Sequence, residues 1–292
     1  MRRSLLRKAL LSISKVRVPS ELVVEVTVVD NDSSESARYV VSEAQKLYPF
    51  ELTYLVEPNR GISRARNKAI DYAVKSQSEV LIFIDDDECV DEAWLESFFY
   101  CSKEVSDGTV LYGKVVSLFP EKTSEYFKPF YSKDYGDHGT SLKNCATNNT
   151  WIPLRILKDL KVRFDERIGL SGGGDTLFFA EAYRRGVRIA YCPSAIVKEY
   201  IPESRLSVKW LSKRKFRAGI TMAEVDCLNG KLKSTVAVNT LLSLFKYILK
   251  SACSFSKVER LSNYLKFVRS CGKLSGLLGF RIESYRSIDG AD

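Results

Sequence analysis

Val80-Leu81-Ile82-Phe83-Ile84-Asp85-Asp86-Asp87-Glu88 is a run of five apolar residues followed directly by four acidic ones. The apolar half predicts a strand that is buried on both faces of a sheet. Adjacent carboxylates repel one another, which raises their pKa values unless a cation compensates. Mg²⁺ and Mn²⁺ prefer oxygen ligands, and ligands of open α/β sheets bind at the carboxyl ends of the strands. The stretch therefore predicts a divalent-cation site, and a solvated acidic turn is the alternative.

The composition is that of a globular protein suited to an anionic partner. The chain has 292 residues, of which 45% are hydrophobic and 28% charged, and a formal net charge of +9. This length fits one large domain, or one domain with an appendage. The charge is compatible with a nucleotide, a nucleic acid or an acidic membrane surface. A nucleic-acid-binding function would rest on charge alone and would leave the acidic run unexplained, so we expect no nucleic-acid partner.

The cysteine and histidine content argues against several kinds of site. The seven cysteines include no CxxC pair, which predicts reduced thiols in a cytoplasmic protein, with neither a disulfide framework nor a zinc site. They are Cys89, Cys101, Cys145, Cys192, Cys227, Cys253 and Cys271. His138 is the only histidine, so a Ser-His-Asp triad or a histidine-rich metal site has little to build on.

The first residues predict an amphipathic helix rather than a signal peptide. Arg7 and Lys8 interrupt the apolar stretch, and no clear small-residue cleavage site follows. The apolar residues of this segment, including Leu6, Leu10 and Ile13, fall on one helical face. No apolar run in the chain approaches the roughly 18 residues that a membrane-spanning helix needs.

Strands and helices alternate through the first two thirds of the chain. Strands are predicted at 22–29, 52–56, 80–84, 110–118 and 187–191, and helices at 35–47, 62–75, 92–105 and 177–185. This alternation predicts a mostly parallel, doubly wound sheet. The aromatic and polar segment 119–150 has the character of a functional loop or lid.

The chain turns helical and basic after Pro202. Two apolar helical faces follow in this C-terminal region. They are formed by Leu241, Leu244, Phe245, Ile248, Leu249 and Ala252, and by Val258, Leu261, Leu265 and Val268. These helices could form a plain cap over the sheet, or they could dock on an anionic membrane surface.

Two polar segments follow predicted strands and could contact a nucleotide. Asp30-Asn31-Asp32-Ser33 can accept hydrogen bonds from a nucleobase or a ribose, or it can serve as a turn and helix cap. Asn59 to Asn67 brings three arginines to the start of a helix, where an anion is favoured and a guanidinium can bind a diphosphate. Arg66 and Asn67 are the better candidates for this role, whereas we expect Arg60 to be solvated.

Two later segments have less specific patterns. Ser171-Gly172-Gly173-Gly174-Asp175 lets the backbone pass close to a ligand, with Asp175 as a possible general base. The alternative is a flexible turn with Asp175 as the helix cap, and the absence of a following Gly-Lys-Ser/Thr excludes a P-loop. The basic run Lys209 to Arg217 could close over phosphates, contact anionic lipid or form a solvated helix face.

The order of these motifs resembles that of the family 2 glycosyltransferases. Four of them lie at 29–33, 59–67, 83–88 and 172–179. A fifth, from Ile201 to Gly219, resembles the bacterial exopolysaccharide branch of that family, of which the succinoglycan glucosyltransferases are examples. Each motif is weak alone, but five in this order are specific, and the resemblance covers about residues 5 to 225.

The resemblance implies a GT-A fold, which is an α/β fold with a Rossmann-like, mostly parallel sheet flanked by helices. Residues 1–202 would form the nucleotide-sugar transferase domain, and residues 203–292 a basic helical C-terminal extension. The implied reaction moves a hexose from a UDP-sugar, with inversion and with Mg²⁺ or Mn²⁺, to a lipid-linked saccharide in surface polysaccharide biosynthesis. The implied location is the cytoplasm, peripherally at the inner face of the plasma membrane.

The resemblance also implies roles for individual residues. Asp30 and Asn31 would approach the uridine, and Arg66 and Asn67 would lie near the nucleotide-sugar. The DxD pair would be Asp85 and Asp87, with Asp87 the main metal ligand and Asp86 close by. Asp175 would take the proton from the acceptor hydroxyl. The candidate contacts to the diphosphate or the acceptor are Lys213, Arg214 and Arg217.

The chain departs from the family pattern at two places. The family usually has Glu-Asp where this chain has Gly174-Asp175, which removes a neighbour of the expected base. The family also opens with a strand that lines the nucleotide pocket, whereas this chain begins at the helix that should follow it. Either the true start lies upstream or the protein lacks that strand, and the alternative function is then a non-catalytic nucleotide-sugar-binding remnant.

Overall fold

The computed structural model describes residues 3–168 and 173–280. The first half of the chain alternates helices and strands, as the sequence predicts. The elements are α1 (Arg3–Ile13), β1 (Glu25–Asp30), α2 (Arg38–Gln45), β2 (Glu51–Val56), α3 (Ile62–Lys75), β3 (Val80–Phe83), β4 (Glu88–Val90), α4 (Trp94–Glu104) and β5 (Val110–Leu118). The predicted bounds of α3 and β5 are confirmed, and those of β1, α2 and α4 shift by up to three residues.

The second half contains shorter strands and then three long helices. The elements are β6 (Ser141–Leu142), β7 (Thr150–Pro153), α5 (Leu154–Leu160), α6 (Gly174–Arg184), β8 (Ile189–Tyr200), α7 (Val208–Leu228), α8 (Lys233–Cys253) and α9 (Lys257–Leu277). A loop with only a single 3₁₀ turn and β6 occupies most of 119–149, in agreement with the prediction.

The described strands form two sheets rather than one mostly parallel sheet. β1 and β2 pair in parallel as a two-stranded sheet. The other sheet has the order β3-β7-β5-β8-β4, with β6 added on β8. In this larger sheet β5 and β8 are parallel, and the remaining described pairs are antiparallel. The sheet is therefore mixed, because β7 and β4 return to the sheet against the direction of their neighbours.

A shared hydrophobic layer joins the two sheets. Val26 of β1 and Val80 and Ile82 of β3 pack against the same buried cluster, which contains Trp94 and Phe98 of α4. The first three residues of β3 are only half-buried, so the expectation of a strand buried on both faces is wrong. No described strand lies between β1 and β3, and each therefore has one edge without a partner strand in the described structure.

A bulge redirects the second half of β8 toward the acidic end of β3. The pairing register of β8 with β5 shifts after Gly113, where a Cβ atom would lie 2.2 Å from Nδ2 of Asn149. Asn149 is fully buried and donates to the carbonyls of Lys114 (3.0 Å) and Ala195 (2.8 Å). Glycine is required at 113 because the amide of Asn149 takes the space of a side chain.

The C-terminal helices are held together by glycines at the crossing of α7 and α9. A Cβ atom on Gly219 would lie 2.0 Å from the carbonyl oxygen of Arg269, and one on Gly272 would lie 2.0 Å from that of Phe216. The two backbones are therefore in direct contact. α8 then packs along α9 through Val236 and Thr240, which are buried.

One expectation about the cysteines is wrong. The structure contains a disulfide between Cys101 at the end of α4 and Cys192 in β8, with a Cα–Cα distance of 6.4 Å. The pair is separated by 91 residues, so only the packing of α4 against β8 brings the two sulfurs together. The remaining described cysteines are free.

Candidate functional site

The acidic run forms a tight turn between β3 and β4. Asp85, Asp86 and Asp87 connect the strands, and Glu88 begins β4. Glu88 is 1% exposed and its carboxylate accepts hydrogen bonds from Nδ2 of Asn148 (2.6 Å) and from the backbone N–H of Asp85 (3.2 Å). Burial raises the pKa of Glu88 well above its ordinary value, and the charge of Asp85 adds to this effect. Glu88 therefore fixes the turn from inside, and the three aspartates before it are half-buried. We call the region between this turn, Arg66, Asp175 and Arg205 the cleft.

Asp85 lies close to several other charged side chains. Crowding by protein atoms raises its pKa to about 6, the charge of Arg66 opposes the shift, and Asp87, Asp86 and Asp175 add to it. Solvent still reaches 45% of the side chain, so the cleft is open to a ligand. Arg66 Nη2 lies 3.6 Å from Asp85 Oδ1. The structure thus brings Arg66 and the acidic turn together, as the sequence predicts.

Asp87 faces a second arginine that the sequence interpretation did not single out. Arg205 Nη2 lies 4.0 Å from Oδ2 of Asp87, and Arg205 Nη1 lies 2.9 Å from Oε1 of Glu199. Burial raises the pKa of Glu199, and the nearby Arg205 opposes this shift. Arg205 thus connects the acidic turn to the end of β8.

Asp175 lies in the first turn of α6 and belongs to the same electrostatic cluster. Its charge raises the pKa of Asp85 and opposes the lowering of the pKa of Lys133. The turn before it is packed between two helices, because a Cβ on Gly173 (φ +88°) would lie 2.3 Å from Oγ1 of Thr221, and one on Gly174 would lie 3.2 Å from Oγ of Ser63. Ser171 and Gly172 of the predicted motif lie outside the described residues.

Two of the expected nucleotide contacts, Asp30 and Asn31, form hydrogen bonds with backbone groups instead. Asp30 is 2% exposed, and its Oδ2 accepts from the N–H of Ala37 and the hydroxyl of Tyr54, both at 2.8 Å. Asn31 donates to the carbonyls of Glu57 and Asn59 and accepts from the N–H of Gly61. This geometry favours the turn-and-cap interpretation of the segment over a contact to the uridine.

Asn67 has a comparable structural position. Its Oδ1 accepts from the N–H of Phe164 (2.9 Å) and its Nδ2 donates to the carbonyl of the same residue (3.0 Å). The ring of Phe164 in turn lies 5.5 Å from the guanidinium carbon of Arg66. Asn67 therefore positions the surface against which Arg66 packs, rather than facing the cleft itself.

A group of basic side chains includes Lys133, and the charge of Asp175 opposes the lowering of the pKa of that lysine by burial. Burial lowers the pKa of Lys215 on α7 to about 8, and the charges of Lys133, Arg214 and Arg269 add to this effect. Desolvation also lowers the pKa of Lys133, and Arg214 adds to it. None of these four cations forms an ion pair with another residue of the described structure. Such a concentration of positive charge favours an anionic ligand.

Only some residues of the predicted basic run belong to this cationic group. Arg214 lies over the ring of Trp210 at 5.3 Å and influences both Lys133 and Glu199. Lys213 is exposed on α7 and Arg217 is half-buried, and neither forms an ion pair within 3–168 and 173–280. Lys215 takes the place that the sequence interpretation assigned to Lys213.

An aromatic segment covers this side of the cleft. Tyr131 stacks on Trp210 with ring centroids 6.0 Å apart, and its hydroxyl donates to the carbonyl of Arg205. Tyr126, Phe127 and Phe130 pack with them against Leu211, Leu261 and Leu265. The loop predicted to be a lid is thus anchored on α7 and α9, and it carries Lys133 to the edge of the site.

Sequence reasoning missed Arg205, Glu199, Lys133 and Lys215. Arg205 and Glu199 flank Pro202, where the chain leaves β8. The available signal was that Arg205 lies within the motif from Ile201 to Gly219. Lys133 lies in a loop whose apolar residues have neither helical nor strand periodicity, so no sequence signal pointed to it. The position of Lys215 depends on the rotation of α7 about its axis, which single-residue spacing does not define.

The comparisons with known proteins agree on one family. The family model for glycosyl transferase family 2 matches residues 1–159. The succinoglycan biosynthesis protein ExoM of Rhizobium meliloti (strain 1021) is 32% identical over 295 residues, which cover 97% of this chain and 93% of that protein. The glucosyl-dolichyl phosphate glucuronosyltransferase of Haloferax volcanii is 24% identical over 185 residues, which cover 59% of this chain and 58% of that protein.

The solved structures show the fold. S. aureus TarS 1–349 in complex with UDP-GlcNAc superimposes with a TM-score of 0.55 at 18% identity, over 98% of this chain and 90% of that chain. The mixed sheet flanked by helices is therefore a GT-A fold, as the sequence predicts, followed by a helical C-terminal region.

Proposed function

Because this chain belongs to the family 2 glycosyltransferases, we propose that it transfers a hexose from a UDP-sugar, with inversion, to a saccharide acceptor in surface polysaccharide biosynthesis. The observation that carries the proposal is the convergence of four elements on one cleft. The β3–β4 turn supplies Asp85 and Asp87, α3 supplies Arg66, α6 supplies Asp175, and the loop after β8 supplies Arg205. We assign the nucleotide-sugar diphosphate to this cleft; the TarS chain that shares the fold was solved in complex with UDP-GlcNAc.

The donor set of the cleft fits a divalent cation. Asp85 and Asp87 present carboxylate oxygens beside Asp86. Burial raises the pKa of Asp85, and the charges of Asp87 and Asp86 add to this shift. Oxygen donors with excess negative charge are what Mg²⁺ and Mn²⁺ prefer. Asp87 would be the main ligand and Asp85 the second. When bound, the ion neutralises charge that develops on the departing diphosphate.

The protein's own residues supply the remaining chemistry. Asp175 takes the proton from the acceptor hydroxyl, so that the oxygen can attack the anomeric carbon from the face opposite the diphosphate. A single displacement of this kind inverts the anomeric centre. Arg66 and the basic residues Arg214, Lys215 and Lys133 stabilise the anionic leaving group or an anionic acceptor. The Tyr131–Trp210 stack limits the access of water to this side.

Two relatives suggest the acceptor and the location. ExoM is named for succinoglycan biosynthesis, and the name of the Haloferax protein describes transfer to a glucosyl-dolichyl phosphate, which is a lipid-linked sugar. We extend these properties to this chain and propose a lipid-linked saccharide acceptor. The enzyme would then work in the cytoplasm, peripherally at the inner face of the plasma membrane, on an acceptor held in the bilayer.

UDP binding measured by calorimetry, with and without Mn²⁺, tests the donor half of the proposal. We expect metal-dependent binding by the parent chain and at least a roughly tenfold loss of affinity in Asp87→Asn, because a ligand of the ion is removed. Asp107→Asn is the matched control, since Asp107 is an exposed partner of Arg155 away from the cleft. Absence of UDP binding by the parent chain would contradict the proposal.

The alternative function is a non-catalytic nucleotide-sugar-binding protein. Its support is Gly174, which replaces the glutamate expected beside Asp175, and the separation of the β1–β2 sheet from β3. A screen of UDP-hexoses against lipid-linked saccharide acceptors separates the two. Metal-dependent UDP binding without transfer to any acceptor would favour the alternative.

A further inference from the structure

α8 exposes an apolar stripe along most of its length. The stripe comprises Val238, Leu241, Leu242, Phe245, Ile248 and Leu249, whose exposed fractions lie between 50% and 67%. Their spacing of three and four residues places them on one face of the helix. Leu232 (71% exposed) extends the stripe before the helix, and Phe255 (100% exposed) extends it after the helix. A contiguous apolar surface of this kind marks a binding face.

The opposite face of α8 already has its partner. Val236 and Thr240 are buried. Nζ of Lys266 on α9 lies over the ring of Tyr247, 5.9 Å from its centroid. The face of α8 that packs on α9 is thus separate from the stripe, whose large apolar residues are exposed. The sequence prediction that Leu241, Phe245, Ile248 and Leu249 share a face is confirmed, but this face does not cap the sheet.

The charges around the stripe are positive. α8 contains Lys233, Lys246 and Lys250 and no acidic residue. Across 231–280 the only acidic residue in the sequence is Glu259, among lysines and arginines that continue through α9. A second copy of the chain would bring two positive surfaces together, which like-charge repulsion disfavours. The charge pattern therefore complements an anionic surface.

We propose that the apolar stripe of α8 inserts into the headgroup region of a bilayer that contains anionic lipid. An 18-residue window of α8 has a mean hydropathy of 1.2, and 11% of that window is buried, so length and composition alone would permit a crossing. The helix lies in the plane of the interface instead, because α9 stays packed along its other side. This inference rests on the proposed function in one respect, namely that the membrane presents the acceptor.

Vesicle flotation with the full chain tests the surface. We expect binding to vesicles that contain phosphatidylglycerol, and weaker binding to pure phosphatidylcholine vesicles. Leu242→Ser/Phe245→Ser/Ile248→Ser should reduce binding to both by about a hundredfold, since three buried apolar side chains are lost. Lys246→Gln/Lys250→Gln should reduce binding to the anionic vesicles by about thirtyfold and leave the neutral vesicles unaffected.

Leu47→Ser/Tyr39→Ser is the matched control, because both residues are exposed apolar side chains in or next to α2. This variant should bind vesicles like the parent chain, and the melting temperatures of all variants should agree. Binding that survives the triple serine change would overturn the proposal. So would a dimer in solution that the triple change dissociates, because a second copy would then cover the stripe.

The experiment separates this inference from the proposed function. A chain that binds UDP with Mn²⁺ but does not float with vesicles would refute the docking surface and leave the donor assignment standing. A chain that floats through α8 but binds no UDP would refute the donor assignment and leave the docking surface standing.

Discussion

At the scale of single residues, Asp175 is the one carboxylate of the cleft that begins a helix and lies beside the cationic group. Asp175→Asn keeps the shape of the side chain and removes the proton acceptor. We expect kcat to fall by about 10² to 10⁴. The affinity for UDP should change little, because the nucleotide contacts remain. Steady-state kinetics with calorimetry on the same variant checks both values, and a parallel loss of UDP binding would instead indicate a structural role.

Lys215 gives a pH-dependent prediction. Its pKa in the folded state is lowered to about 8, below the ordinary value for lysine, so the folded chain binds fewer protons than the unfolded chain above that pH. The protonated side chain therefore destabilises the fold at pH 7, and this cost disappears as the pH rises from about 8 to 10.5. Lys215→Met should stabilise the chain at pH 7 by about 1 to 2 kcal/mol, and the difference should vanish near pH 10.

Thermal denaturation at the two pH values measures this difference. Lys213→Met is the control, because Lys213 is exposed two positions away on the same helix, and it should have no comparable effect. UDP should stabilise the parent chain more than Lys215→Met if the lysine faces the diphosphate. If the Lys215→Met chain were less stable than its parent at pH 7, the inference that protonated Lys215 destabilises the fold would be wrong.

The sequence predicted best those residues whose chemistry is unusual for their place in the chain, such as consecutive carboxylates directly after an apolar strand. Arg66 lies 3.6 Å from Asp85, and the charge of Asp175 raises the pKa of Asp85, so the acidic turn, α3 and α6 come together; a cation at the turn stays a prediction. Asp30 and Asn67 were ambiguous because carboxylates and amides serve turns and ligands equally well. Arg205 could not be placed, since its contact with Asp87 joins residues more than a hundred positions apart.

At the scale of elements, the crossing of α7 and α9 depends on direct contact between the backbones. Gly219→Ala or Gly272→Ala would place a Cβ atom 2.0 Å from a carbonyl oxygen, so the helices must separate. We expect a loss of about 3 kcal/mol in the free energy of unfolding, measured by urea denaturation. Ser234→Ala, on an exposed position of α8, should change it by less than about 0.5 kcal/mol. A tolerated alanine at 219 would show that the crossing is not tightly packed.

The predicted bounds agree with the structure at one helix and one strand, and they differ most at the end of β8. α3 and β5 match their predicted bounds because apolar periodicity continues to their ends. β8 was predicted to stop at 191 but continues to Tyr200, because the bulge at 193–195 accommodates Pro193 outside the ladder. The direction of β7 and β4 depends on how the chain returns to the sheet, and hydrophobic pattern carries no such information.

At the scale of the whole molecule, the order of the motifs identified the family, because motif order along the chain reflects the order of strands around one cleft. The disulfide between Cys101 and Cys192 could not be predicted from the sequence, since cysteine spacing in a chain of this size does not define pairing. The two apolar faces of the C-terminal region were also predicted. Which one faces solvent was determined only by the packing of α8 on α9.

Among residues 3–168 and 173–280, β1 and β3 each have an edge without a partner strand, and this has a consequence for how the protein behaves with other chains. Each edge presents a row of backbone N–H and C=O groups that an extended peptide can extend by β-augmentation. We therefore predict that an extended strand can pair with these edges, and that concentrated preparations are prone to cross-chain pairing through these rows. A short synthetic peptide with alternating apolar residues, supplied in trans, should compete with that pairing and rigidify the junction of the two sheets.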